Sequence, residues 1–137
     1  MEEPAWDNDV APTSGIHELL DIVVVEQDPE RVVLSLEVTP SVHQPFGILH
    51  GGVSALLAES AASFGAQLSA PPGHTVVGVE INANHLRAMR QGTLTATATP
   101  VRRGRRIHVW NIDLTDEQDR MICTSRCTIM VIPLSEE

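Results

Sequence analysis

Three residues in HGGVSALLAES have the types and spacing to work together on an electrophilic carbonyl: Gly51, Gly52 and Glu59. After the glycines, Val53, Leu56, Leu57, Ala61, Phe64 and Leu68 recur at helical spacing and predict a helix of about four turns. The glycines then fall at the helix start, where the first N–H groups have no intrahelical acceptor and can hold an oxyanion or a polarised carbonyl. Glu59 lies about two turns in and, at ~100° per residue, roughly 150° from the middle of the apolar face. Its stripe is Ala55, Ala62, Ser63 and Ala66, where an ordinary solvent face would carry Lys, Arg and Gln. Small residues around one acid let another backbone or a ligand come close. A donor-rich helix start with a lone carboxylate suits acyl transfer, the donors polarising a carbonyl while the acid attacks it or activates water.

Each of these features also has a plainer reading. Glu59 is compatible with a solvated helix face, and Gly51-Gly52 with a tight turn and close packing. His50 is compatible with a helix-end cap. Gln44 and Ser63 suit structural hydrogen bonds as well as chemistry, and Asn82, Asn84 and His85 suit a strand edge.

The elements that must position these residues follow from pattern. Residues 1–13 are acidic, proline-containing and aperiodic, which predicts a loose arm before a single domain over 14–137. Ser14 through Leu20 predicts a short helix capped by Ser14. Asp21–Gln27 and Arg31–Val38 are β-branched runs around Asp28-Pro29-Glu30, a hairpin signature. Pro71-Pro72-Gly73 ends the long helix. Thr75–His85 follows as a strand, with Val77, Val79 and Ile81 on one face and Val76, Gly78, Glu80 and Asn82 on the other. Gly92–Arg102, Arg106–Leu114 and Met121–Ile132 complete a meander, with Gly104 turning the chain inside an arginine cluster. The pattern is α+β, one long helix on an antiparallel sheet.

Composition bounds the function. The chain has 137 residues, 42% hydrophobic and 20% charged, as expected of one globular domain. A net charge of −9 argues against nucleic acid as the main partner. No apolar run reaches the ~20 residues that span a bilayer, and MEEPAWDNDV lacks the features of a signal peptide, which predicts a cytoplasmic protein. All nine basic residues are arginine, four of them Arg102, Arg103, Arg105 and Arg106, a solvated hairpin tip or a phosphate grip. Arg87 and Arg90 compete with them for that role. Cys123 and Cys127, roughly 13 Å apart if on one strand, are too far apart for a disulfide and read as buried small hydrophobes. His17, His43 and His108 carry no partner pattern.

This order of elements, together with HQPFGILHGGVSALLAESAAS and VGVEINANHLR, resembles the hotdog-fold thioesterases over roughly Gly15 to Pro133. The resemblance is to the phenylacetate-pathway family, most of all to the branch with the Arthrobacter-type 4-hydroxybenzoyl-CoA and the 1,4-dihydroxy-2-naphthoyl-CoA thioesterases. It implies one long central helix wrapped by an antiparallel sheet, and acyl-CoA thioester hydrolysis without metal or cofactor. By resemblance the Gly51 N–H polarises the thioester carbonyl, Gln44 and His50 orient the thioester and leaving thiolate, and Glu59 is nucleophile or general base. Ser63 then positions the water or the carboxylate. His85, with Asn84 and Arg87 nearby, lines the substrate pocket, and Arg102, Arg103, Arg105 and Arg106 meet the CoA phosphates. The glycine and the acid come from different subunits in this family, which implies a homo-oligomer with its site at a dimer interface, a tetramer built from dimers. The chemistry is sound on its own terms, since a thiol of pKa ~8–9 is a good leaving group. A carrier-protein thioester is an alternative to CoA. A 3-hydroxyacyl-thioester dehydratase or hydratase is a further alternative, disfavoured because Gly-Gly directly follows His50. A non-catalytic acyl-CoA-binding module is another, disfavoured because no output domain accompanies the chain.

Overall fold

The computed structural model describes residues 14–134. Its elements are α1 (Ile16–Leu19), β1 (Val23–Asp28), β2 (Arg31–Val38), a 3₁₀ turn (Pro40–Val42), α2 (Gly51–Ser69), β3 (His74–His85), β4 (Gly92–Arg103), β5 (Ile107–Thr115) and β6 (Met121–Pro133). All six strands form one antiparallel sheet in the order β1-β2-β4-β5-β6-β3. After α2 the chain returns to the far edge, so β3 pairs with the last strand and not with the first hairpin. Among the described residues no helix is long and apolar enough to cross a membrane.

Every strand touches α2, because the sheet wraps around the helix. This explains the small residues better than an exposed stripe does. Ala58, Ala61, Ala62 and Ala66 are all 0% exposed within the single chain. The predicted apolar face is correspondingly incomplete: Val53, Leu56 and Leu68 are only half-buried, while Ala62 and Ala66, expected beside Glu59 on an open stripe, are core. Alanine is used where strands approach the helix backbone closely. Larger side chains fill the wider gaps, Leu57 and Phe64 from the helix and Leu34, Leu94, Trp110 and Ile112 from the sheet. Each such burial stabilises the fold by roughly 1.5–3 kcal/mol.

Two local expectations are corrected. Ser14 does not cap α1; Gly15 occupies the cap position with φ 65° and no side-chain cap bond forms. On β3 the alternation changes phase. Gly78 pairs with Ile129 and Glu80 with Thr128, so Val79 is an extra, bulged residue. Cross-strand partners share a face. Val76, Gly78, Ile81, Ala83 and His85, opposite Val131, Ile129, Cys127, Ser125 and Cys123, therefore face the helix. Val77 and Val79, expected with Ile81, instead lie 44% and 55% exposed. A one-residue bulge is invisible to a period-2 reading that assumes an unbroken strand.

Candidate active site

The start of α2 is built by His50. Its backbone is extended (φ −69°, ψ 129°), and its Nδ1 accepts the Gly52 N–H at 2.8 Å. The imidazole thus does what Ser or Asp does at other helix starts. With Nδ1 accepting, the neutral ring carries its proton on Nε2, leaving a donor toward solvent. The Gly52 N–H is spent on this cap, whereas the Gly51 N–H has no acceptor among the described residues. Of the two glycines, Gly51 alone offers a free donor.

The preceding loop is held from both sides. Leu49 N–H donates to the Met89 carbonyl at 2.7 Å and His50 N–H to the Val42 carbonyl at 2.9 Å. Gly47, at φ 79°, makes the turn that L side chains rarely adopt. Gln44 accepts the Phe46 N–H on its side-chain oxygen, which closes that turn and leaves the amide nitrogen without an acceptor among the described residues.

A pocket of about 380 Å³ opens beside Gly51. Its wall brings together Gln44, Gly51, His85 and Arg87, with Ile48, Leu49, Met89 and Ile122 as apolar lining. His85 reaches it from the end of β3, and its Nε2 stands 2.8 Å from where a Cβ on Gly51 would be. A side chain at 51 would collide with the imidazole, so glycine lets the ring and the N–H face the same space. Ser54 also lines the pocket, 1% exposed and one helical turn beyond Gly51. Sequence reasoning missed it, although its i+3 spacing from Gly51 places it on the same helix face.

Other predicted residues are not gathered there. Asn84 pairs with Thr124 on the opposite face of the sheet from His85. Glu59 and Ser63, both half-buried, lie one turn apart farther along α2. At ~1.5 Å per residue Glu59 is about 12 Å from Gly51, too far for both to engage one carbonyl. The carboxylate rests over β3, with Oε2 2.4 Å from the Cβ position of Gly78. Its charge is felt beneath the sheet: burial first, then Glu59 and Glu80, push the Cys127 thiol up to about 12. Cys123 and Cys127 are both free and buried, as expected from sequence.

The arginine cluster stands at the other end of the helix. Arg103 forms an ion pair with Glu30, and its guanidinium donates to the Ser69 hydroxyl at 3.3 Å and the Pro29 carbonyl at 3.1 Å, tying the β4–β5 tip to the helix C-terminus. Arg102, Arg105 and Arg106 are exposed, as are Arg87 on the pocket wall and Arg90, which does not line that pocket. The three histidines set aside above have structural contacts: His17 with Ser60 Oγ at 2.9 Å, His43 with the Arg90 carbonyl at 2.8 Å, and His108 with Trp110 Nε1 at 3.3 Å. Among the described residues no group of three or more His, Cys, Asp or Glu side chains is placed to hold a metal ion.

A long helix gripped by a six-stranded antiparallel sheet, with a free glycine N–H at the helix start, defines a hotdog-fold thioester hydrolase. The chain belongs to the thioesterase superfamily, whose family model matches residues 46–123. It is 50% identical over 117 residues to the 1,4-dihydroxy-2-naphthoyl-CoA hydrolase of Listeria monocytogenes, covering 85% of this chain and 95% of that one. It is 40% identical over 115 residues to the proofreading thioesterase EntH of Cronobacter sakazakii, covering 84% of each. Among solved structures, thioesterase HI1161 of Haemophilus influenzae superposes with a TM-score of 0.87 at 42% identity, covering 91% of this chain and 87% of that one.

Proposed function

We propose that this enzyme hydrolyses acyl-CoA thioesters, aryl ones foremost, at a site shared between two copies of the chain. The observation that carries the shared site is the separation of donor and acid. Within one chain Gly51 meets His85 at one end of β3, while Glu59 meets Gly78 toward the other. Among the described residues the outer edge of β3 has no strand beside it, and Val77 and Val79 are exposed there. A two-fold axis through Asn82 pairs two β3 edges antiparallel. Counting the bulge at Val79 out, it sets Ile81 opposite Ala83 and Gly78 opposite His85, always joining helix-facing residues to helix-facing residues. The partner's Glu59 then arrives with the partner's Gly78 at the Gly51–His85 end. Each dimer so built carries two complete sites.

In this reading the Gly51 N–H and a donor from Gln44 or His50 polarise the thioester carbonyl. The partner's Glu59 attacks it or takes a proton from water, and Ser63 orients that water or carboxylate. The leaving thiolate departs toward His50, whose outward Nε2–H is a donor. His85 walls the acyl end, and the exposed guanidinium of Arg87 lies at the mouth for a CoA phosphate. Arg102, Arg105 and Arg106, remote from Gly51 in their own chain, would reach CoA only from the partner. The high identity to a naphthoyl-CoA hydrolase supports an aryl acyl group; a carrier-protein thioester would use the same chemistry. We further infer a tetramer of two such dimers, working in the cytoplasm.

Free-thiol release from a panel of aryl and aliphatic CoA thioesters tests the activity, and Glu59→Ala should lower turnover ~10²-fold or more. Mixing tests the shared site. Gly51→Pro and Glu59→Ala homodimers should each be inactive, but re-equilibrated together they should recover about a quarter of the wild-type sites, because a mixed dimer holds one intact pair. No recovery despite mixed dimers would place both residues in one chain's site. Absence of thiol release from every ester would overturn the hydrolase reading.

A further inference from the structure

We propose that Gly78 is a positioning residue for the Glu59 carboxylate: the bare strand at this point is the seat in which the acid is held. The inference rests on the reading of Glu59 as the reacting acid and adds a residue to it. A methyl group at 78 would lie 2.4 Å from Glu59 Oε2, 3.2 Å from Cδ and 3.7 Å from Cγ, in the space the carboxylate occupies. The glycine is not there for its backbone, because its φ is not in the left-handed region, unlike that of Gly47, Gly73 and Gly92. What it supplies is the absence of a side chain on the helix-facing side of an edge strand otherwise built from Val76, Ile81 and Ala83.

The bulge next to it completes the seat. In unbroken alternation Glu80 would share the helix-facing side with Gly78 and point a second carboxylate at Glu59. Two carboxylates in one site resist joint ionisation. The extra residue at Val79 turns Glu80 outward, opposite Thr128, and turns Ile81 inward against the core. One strand irregularity therefore leaves a single acid on the inner face, and the glycine before it gives that acid room against the strand. The two features act on the same side chain from adjacent positions.

Gly78→Ala should lower kcat ~10-fold or more with KM changed less than about twofold, because the displaced carboxylate misses the carbonyl while the Gly51 N–H and the Gln44 and Arg87 side chains that hold the ester keep their places. In the Glu59→Ala background the space is vacant, and adding Gly78→Ala should lower neither residual turnover nor the denaturation midpoint. If the single variant does not fold, folding of the double variant would still establish the contact, whereas failure of both would show that the glycine serves the strand alone. Wild-type kcat in Gly78→Ala, or equal losses in the wild-type and Glu59→Ala backgrounds, would overturn the proposal. A fully active Glu59→Ala enzyme would instead overturn the reading on which it rests.

Discussion

The two ends of α2 use one steric device for opposite purposes. At each end a helical glycine receives a ring where a Cβ would stand: His85 Nε2 at 2.8 Å from that point on Gly51, and Trp110 Cη2 at 2.4 Å from it on Gly65. The ring at Gly65 is apolar and 0% exposed, and Gly65 is itself buried. The ring at Gly51 belongs to an exposed residue and borders a pocket beside an unpaired N–H. Close packing around a glycine is therefore no sign of function alone. What separates the ends is what the missing side chain exposes: more core at one, an unused hydrogen-bond donor at the other.

The sharpest way to break this comparison is to remove the donor without harming the helix. Gly51 is the first helical position, where proline is favoured because its N–H would be unpaired anyway, and His50 already has the extended backbone that a following proline requires. Gly51→Pro should cost ~10²–10³ in kcat, the value of one oxyanion donor. Gly51→Ala keeps the N–H and only displaces an exposed imidazole, so it should retain several-fold more activity than the proline variant. Equal losses in the two would mean that the glycine matters for space and not for its N–H.

The matching change at the other end should separate stability from rate. Gly65→Ala drives a methyl into the indole of Trp110, with further contacts at 2.6 Å and 3.0 Å, and neither group has free space to retreat into. Overpacking of this kind costs about 1–3 kcal/mol, read as a lowered denaturation midpoint. Turnover per folded molecule should stay near wild type. A large loss of kcat in Gly65→Ala at full folding would mean that the two ends of the helix are coupled.

How much of this could be read from the residues alone follows the same division. The long helix, the hairpin and every strand are predictable because their apolar periods and turn residues are local, and the observed strand limits fall within a few residues of those expected. Gly51, His85, Gln44 and Arg87 do share a pocket. Sequence pattern could not reveal the bulge at Val79, which decides whether Glu80 or Ile81 follows Gly78 onto the helix-facing side. Nor could it foresee that wrapping strands would claim Ala62 and Ala66 for the core. Asn84 and His85 are neighbours in sequence but lie on opposite faces, and that assignment hangs on the same bulge. These features depend on register and curvature, which are set by contacts far apart in the chain.

The smallest expected effect concerns pH and falls wholly at the structural end. His108 is buried beside Trp110, whose Nε1–H donates to its Nδ1, and burial, followed by the nearby Arg103 charge, lowers its pKa from 6.5. The unfolded chain then binds more protons than the native one between the lowered value and 6.5, so native stability rises with pH across that window. The contribution is complete above 6.5 and is lost as pH falls through the folded-state value. At Asp116, burial presses the carboxyl upward, but hydrogen bonds from the Arg120 N–H and guanidinium and the Gln118 N–H outweigh it and hold it below 3.8. Its contribution is complete above 3.8 and is lost only as pH falls through the lower value, so the two windows do not overlap above pH 4. Denaturation midpoints measured from pH 7.5 down to about 5 should therefore fall more steeply for wild type than for His108→Gln, whose amide does not titrate in this range. Parallel slopes would show that the core at the Trp110 end tolerates a protonated imidazole.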